Sequence, residues 1–500
     1  MPSYDSGAKA MRFVAERMAA LATPLVERLK ASGGTESAGF LNDIVDQLWP
    51  HINIAAGRMT KEIVEPMLAS MLPGPLSTLR FSKIDLGNVP MRFSQVDVHK
   101  TDNEGIKLDM DLDWDGQCDI DLEGKMVPKL GIEKVHIHGR LSVLLSPLTD
   151  IIPLIGAAQV AFINPPTLKL DFAHAANIAD CFLIEKAVRK VILNIIGSMA
   201  VLPNRYLVKL DGNLDWFKAY QHHLGVLRLT VEKATDINGP KKSGAKRLLD
   251  KIIKDVPDCF CQVSVGAEEM WRTKTVKNDH NPTWNETHDF LITDFDQVIA
   301  VDVDDDDLVG DDDIGLASTT VKDILLEGGT HELELIHNGE PTGSKIVLHA
   351  QFFNFVPEVD ALKAAESQGE GQICGLATVL IASALGLEGN RSDLNPSVKV
   401  TWGASEFQTP IKSYSPGMDI FNPNFDTAFR IPVTLDMVNN ASSFKLALMN
   451  KTDETGAIEI PFSDILEAPG MIKADAFDVG SGATVRASIS LHGLQHAPLH

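Results

Sequence analysis

The sequence predicts an α+β domain built on a strongly curved antiparallel sheet, followed by two all-β sandwiches. Three observations carry this. Hydrophobic spacing changes from helical to alternating near residue 79. Near residue 210 it changes again, to short strands at regular intervals. The order of those strands over roughly 225–356 then recurs over roughly 375–495 at low identity, an internal duplication. A chain of 500 residues exceeds one ordinary core and is expected to hold two to four domains.

Residues 8–31 place Met11, Val14, Met18, Leu21 and Leu25 along one helical face, with charges too frequent for a membrane span. This segment, within 1–39, reads as an amphipathic helix and linker. From residue 41 the spacing of Leu41, Ile44, Val45 and Leu48, then of Ile63, Val64, Met67 and Leu68, is helical. The run "IKLDMDLDWDG" then alternates: Leu108, Met110, Leu112 and Trp114 share one face and the intervening aspartates the other. A further helical stretch at 182–200 completes an α+β domain over 40–215. The apolar region 141–166 is broken by Pro147, Pro153 and the Pro165–Pro166 pair, and reads as interior lining rather than a bilayer span.

Two patterns in this domain read as decoys. "DLDWDGQCDIDL" begins like a calcium-binding EF-hand loop, but Leu122 stands where the bidentate Glu belongs. His136 and His138 share a strand face, half a metal site with no third ligand visible in the sequence. Ordinary strand side chains account for both.

The first sandwich spans 222–356, a polar linker 357–372, and the second sandwich 373–496. The stretch "VDVDDDDLVGDDDIG" packs eight aspartates into fifteen positions without a basic residue. A chain that tolerates such crowding either leaves the charges solvated or neutralises them with a cation, and calcium, which takes six to eight oxygens, is a cation that carboxylates suit. The segment 241–255 has six basic residues against two acidic ones. Its Lys246, Arg247, Leu248, Leu249, Lys251, Ile252 and Lys254 form a basic amphipathic turn suited to an anionic membrane, or else a short helix packed on its own sandwich.

A net charge of −23 argues against nucleic acid as a partner. The five scattered cysteines fit a reducing, cytoplasmic setting. No nucleophile elbow, zinc-protease helix or phosphate loop is present, which disfavours an enzyme such as a phospholipase.

"GVLRLTVEKATDI", "NPTWNE" and the aspartates before Ile314–Gly315 resemble a C2 domain. The resemblance implies a calcium site at Asp236, Asp258, Asp304, Asp306 and Asp312, with Asp305, Asp307, Asp311 and Asp313 as spectators. The second sandwich departs from this pattern: Ala384 replaces the first aspartate and only Asp393 and Asp453 remain, implying calcium independence. "LLSPLTDIIPLIGAAQVAFINPPTLKLDF" with "VLPNR" (201–205) is similar to a synaptotagmin-like mitochondrial lipid-binding protein (SMP) domain. In this order the chain resembles the extended synaptotagmin and tricalbin family over roughly 40–495.

That family implies a tubular (TULIP-like) fold, a homodimer through the SMP domain, and a glycerophospholipid or diacylglycerol held in an apolar groove. It implies transfer between endoplasmic reticulum and plasma membrane at contact sites, with calcium-dependent docking on anionic phospholipid. Groove candidates are Leu108, Met110, Leu112, Trp114, Leu144, Leu148, Ile151, Ile152, Leu154, Ile155, Val160 and Phe162. The family's N-terminal membrane hairpin has no counterpart in these residues; either a longer product carries that anchor, or residues 8–31 dock a peripheral protein to a membrane-anchoring partner. The alternative is a calcium-dependent tether without lipid transport.

Overall fold

The computed structural model describes residues 35–36, 38–101, 105–173, 178–212, 214–237, 256–306, 312–363, 372–415, 417–440, 443–480 and 482–498. The amphipathic segment 8–31 and the basic turn 241–255 lie outside them.

The α+β domain is organised by one long hairpin. Strands β1 (Arg80–Asp85) and β2 (Arg92–Thr101) precede β3 (Gly105–Gly124) and β4 (Val127–Leu145), which are followed by β5 (Ala157–Phe162), β6 (Thr167–Phe172) and β7 (Tyr206–Lys209). The sheet runs β2-β3-β4-β5-β7; β1 also pairs with β3 and β6 with β4, each contact antiparallel. Helices α1 (Gly39–Met59), α2 (Glu65–Met71) and α3 (Ile178–Ala200) cover the turn end of the hairpin. Val45, Trp49, Leu68, Val188, Val191 and Ile195 close there on Trp114, Ile120, Leu122, Leu130 and Ile132. The Trp49 and Trp114 rings meet edge to face at 5.7 Å, and Trp114 Nε1 donates to Val89 O at 2.8 Å. Its indole lies across Gly116, where a Cβ would come within 2.3 Å of the ring. Only glycine fits there.

The first sandwich consists of β8 (Gly225–Thr235), β9 (Cys259–Val265), β10 (Thr283–Ile292), β11 (Val298–Asp305), β12 (Asp312–Thr320), β13 (Thr330–His337) and β14 (Glu340–Val356). Its layers are β10-β8-β14-β13 and β9-β11-β12, the latter edged by the short strand Trp271–Arg272. The second comprises β15 (Ile373–Leu385), β16 (Pro396–Trp402), β17 (Ser405–Gln408), β18 (Asn424–Thr434), β19 (Phe444–Asn450), β20 (Asp453–Ile460), β21 (Ile472–Gly480) and β22 (Ala483–His496). Its layers, β18-β15-β22-β21 and β17-β16-β19-β20, repeat the first in the same chain order. The duplication seen in the sequence is therefore a duplication of topology.

The sandwiches are not beads on a string. Strand β14 pairs with β22 from Phe353↔His496 to Val356↔Gly493, so one hydrogen-bonded sheet crosses the boundary. Buried Arg228 forks onto Asp289 at 2.7 and 2.8 Å, and Asp289 also accepts from Ile373 N at the start of the second sandwich. Val226, Leu291, Phe353, Phe355, Leu376 and Leu494 fill the junction.

The α+β domain docks on both. Asn164 donates to Asp296 O and accepts from Val298 N. Lys107 joins Asp109 of its own strand to Asp294 of the first sandwich. On the second sandwich, Arg486 reaches Asp215 at 2.9 Å, and Trp216 packs with Leu380 and Ala382. No described helix is long and apolar enough to cross a membrane.

Candidate functional site

The two faces of the β3–β4 hairpin have different fates. Cross-strand partners share a face, so Val98↔Leu108, Leu108↔Val143, Val143↔Val160 and Val160↔Tyr206 form one unbroken row across β2, β3, β4, β5 and β7. Met110, Leu141 and Phe162 form a second row beside it. Val98 is 38 % exposed, and Leu108, Leu141, Val143, Val160, Phe162 and Tyr206 are half-buried, although every one is apolar or aromatic. The face thus begins in the closed core at Trp114 and continues as an accessible apolar wall.

Sequence reasoning named Leu108, Met110, Leu112, Trp114, Val160 and Phe162, which share this face. It missed Leu141 and Val143, which cross-strand pairing with β3 would have placed beside them. Leu144 falls on the opposite face, opposite Lys107. Leu148 and Ile155 bridge the base of a turn whose tip exposes Ile151 (71 %), Ile152 (88 %) and Leu154 (54 %). Pro147 and Pro153 forbid strand continuation here, so these side chains leave the wall. Trp114 belongs to packed core.

On the opposite face, the stretch around Asp109, Ser142 and Leu144 is buried and meets the first sandwich through Lys107 and Asp294, while Asp113, Asp115 and His138 farther along are exposed. Burial pushes the Asp109 carboxyl up, but hydrogen bonds from His99, Lys107 and Ser142 and the Lys107 charge outweigh it and hold it at about 2. Arg205, from the "VLPNR" motif, is half-buried in the same place with its Nε and Nη1 shielded from solvent, and this burial lowers its pKa while Asp294 and Asp109 oppose that.

At the tip of the first sandwich, positions alternate. Ile299, Val301 and Val303 face the core, and Asp305, 5 % exposed, continues that series. It pairs with Asp312 across the sheet and accepts from Asp258 N at 2.7 Å. Asp258 in turn accepts from Asn278 N at 2.8 Å. Asp236 adopts φ +56°, with its N–H held by Asn281 Oδ1 at 3.0 Å and its carbonyl by Ser344 Oγ at 2.9 Å. This is what the "NPTWNE" stretch does: Asn281 fixes the first acidic loop.

Asp304 and Asp306 point the other way. Asp304 accepts from Gln262 at 2.9 Å, and Asp306 from Thr275 at 2.9 Å with Arg272 at 3.6 Å. Alternation along β11, with a bulge opposite it between Gly315 and Asp313, puts Asp305 rather than Asp304 toward the tip. Asp302, Asp304 and Asp313 instead gather on the outer face, within 4.8 Å of one another. Burial, then Asp304 and Asp313, push the Asp302 carboxyl up to about 6. Asp307 and Asp311 lie outside the described residues, as do Lys246, Arg247, Leu248, Leu249, Lys251, Ile252 and Lys254. In the second sandwich Ala384 is buried, while Asp393 and Asp453 are exposed.

Comparison with known proteins agrees with this architecture. The synaptotagmin-like mitochondrial-lipid-binding domain model matches residues 34–211, and the C2 domain model matches 225–335 and 375–474. Extended synaptotagmin-2 of Homo sapiens is 26% identical over 479 residues, 92% of this chain and 50% of that protein. Extended synaptotagmin-3 of Xenopus tropicalis is 28% identical over 370 residues, covering 73% and 40%. The chain spans about half the length of the curated relatives it matches. A solved structure of extended synaptotagmin-2, comprising its SMP domain and two C2 domains, shares the fold at 23% identity and TM-score 0.65, covering 92% of this chain and all 100% of that one. The chain thus carries an SMP lipid-binding domain followed by two C2 domains and is homologous to the extended synaptotagmins.

Proposed function

We propose that the protein carries glycerolipids between apposed membranes, with the first C2 domain docking it to anionic phospholipid when calcium is bound. The observation that carries this reading is the apolar row Val98–Leu108–Val143–Val160–Tyr206, which stays accessible although it is apolar or aromatic throughout. Each lipid CH₂ sheltered there is worth about 0.8 kcal/mol, so two acyl chains offset much of the cost of leaving a bilayer. The bound lipid is a glycerophospholipid or diacylglycerol, and the SMP domain is proposed to work as a homodimer.

The calcium ligands we assign are Asp236, Asp258, Asp305 and Asp312. These are hard oxygen donors from separate loops, the donor set calcium takes, and Asp305 and Asp312 already stand opposite each other. Bound calcium would supply positive charge at the tip for phosphate headgroups. The chain's own part is to hold the carboxylates in place through Asn281, Asn278 and the Asp258 backbone.

Native mass spectrometry of the full chain tests the transfer reading. Co-purified phospholipid in the parent, lost in Leu141→Trp/Val160→Trp but kept in Ile152→Trp, is the expected pattern. A chain that carries no lipid and takes up none from vesicles would instead favour a calcium-dependent tether at endoplasmic reticulum–plasma membrane contacts.

A further inference from the structure

The two patterns that read as decoys in the sequence turn out to be partners. Strand pairing sets Asp113 directly opposite His138 and Asp115 directly opposite His136, midway along the β3–β4 hairpin. All four side chains leave the same face, away from Trp114 and the apolar wall. We infer that Asp113, Asp115, His136 and His138 form a site for a divalent transition metal, zinc being the natural occupant.

The donor set is appropriate. Zinc takes imidazole nitrogen and carboxylate oxygen at about 2.0–2.2 Å, most often four ligands in a tetrahedron. Residues two apart on a strand lie about 7 Å apart, and direct cross-strand partners about 5 Å. A His-x-His facing an Asp-x-Asp therefore frames a rectangle above which short aspartates and longer histidines can converge. The third ligand that the sequence alone could not supply comes from the neighbouring strand.

The side chains have already turned toward one another. Ligand atoms of Asp113, Asp115 and His136 all lie within 4.8 Å of each other. His136 Nδ1 contacts Asp115, and His138 Nδ1 stands 3.4 Å from Asp113. Asp115 faces His136 and Asp113 faces His138, and the two carboxylates so gathered repel each other, a repulsion a divalent cation relieves. A cavity of about 220 Å³ opens against the site between Asp115, His136, Lys134, Lys169 and Asp171, leaving room for a water or small anion on the metal. Histidine distinguishes this site from the all-carboxylate tip, because imidazole suits zinc and not calcium.

The test is zinc uptake by the chelator-treated full chain, followed by calorimetry and elemental analysis in excess calcium. One saturable zinc equivalent is expected, lost in His136→Asn/His138→Asn and in Asp113→Asn/Asp115→Asn, but retained in His331→Asn/His349→Asn. Cobalt in place of zinc should give the intense visible bands of a four-coordinate site, absent from the first two variants. The four residues are half-buried or exposed, so matching melting curves will show that the variants fold. Absence of a stoichiometric equivalent, its survival in the His136/His138 variant, or its displacement by calcium would overturn the assignment.

Discussion

Asp304 and Asp305 differ by one position and by everything that surrounds them. Asp304 is tied to Gln262 on the outer face, whereas Asp305 continues the core-facing series and holds the Asp258 backbone. Asp305→Asn is therefore expected to abolish calcium-dependent sedimentation with anionic vesicles, and Asp304→Asn to weaken it far less. Equal loss in both would return the ligand role to Asp304. Asp302 supplies a second residue-scale prediction. Its folded pKa of about 6 lies above the ordinary 3.8. Between those values the native state keeps a proton that the unfolded chain has lost, so stability falls as pH rises through this window. With calcium chelated, Asp302→Asn should melt above the parent at pH 7.5, and the gap should close near pH 4. A gap unchanged with pH would show that the carboxyl is not the cause.

Among the elements, the β3–β4 hairpin does most to organise the site. Its alternation was legible from residues 108–115 alone, and so was its apolar face. The register between its strands was not: the partner of Leu108 is set by a turn some twenty residues away and by bulges that no local pattern marks. Leu144 was misplaced and Val143 overlooked for that reason, and the facing of Asp113 with His138 was hidden by it. On β11 the aspartates themselves carry no marker, but the alternation of Ile299, Val301 and Val303 just before them points to Asp305 as the one that continues the core-facing series. The hairpin's polar face also makes a prediction. Lys107 is half-buried between the buried carboxylates of Asp109 and Asp294, so Lys107→Met leaves both without their shared cation. That variant should loosen the SMP domain on the first sandwich, with Asn164 still holding it, read as faster proteolysis at residues 213–224 and a modestly larger radius in solution scattering. Asp109 keeps its proton off down to about pH 2, so stability from this contact is present above the ordinary carboxylate range and lost as pH falls from about 4 toward 2.

At the scale of the molecule, the β14–β22 pairing is the feature with the widest reach. Four consecutive residue pairs and the Arg228–Asp289–Ile373 fork would have to break before the two sandwiches could pivot. The pair should tumble as one body, giving a single rotational correlation time by NMR relaxation; two independent times would contradict this. Because Asn164, Lys107 and Arg486 also hold the SMP domain against that pair, inclination is conveyed as well as nearness. Whatever angle the acidic tip takes on a surface is inherited by the apolar wall, without a slack tether to average it away. On the proposed reading the tip would act as a protractor, fixing the slope at which the wall meets the bilayer beneath it.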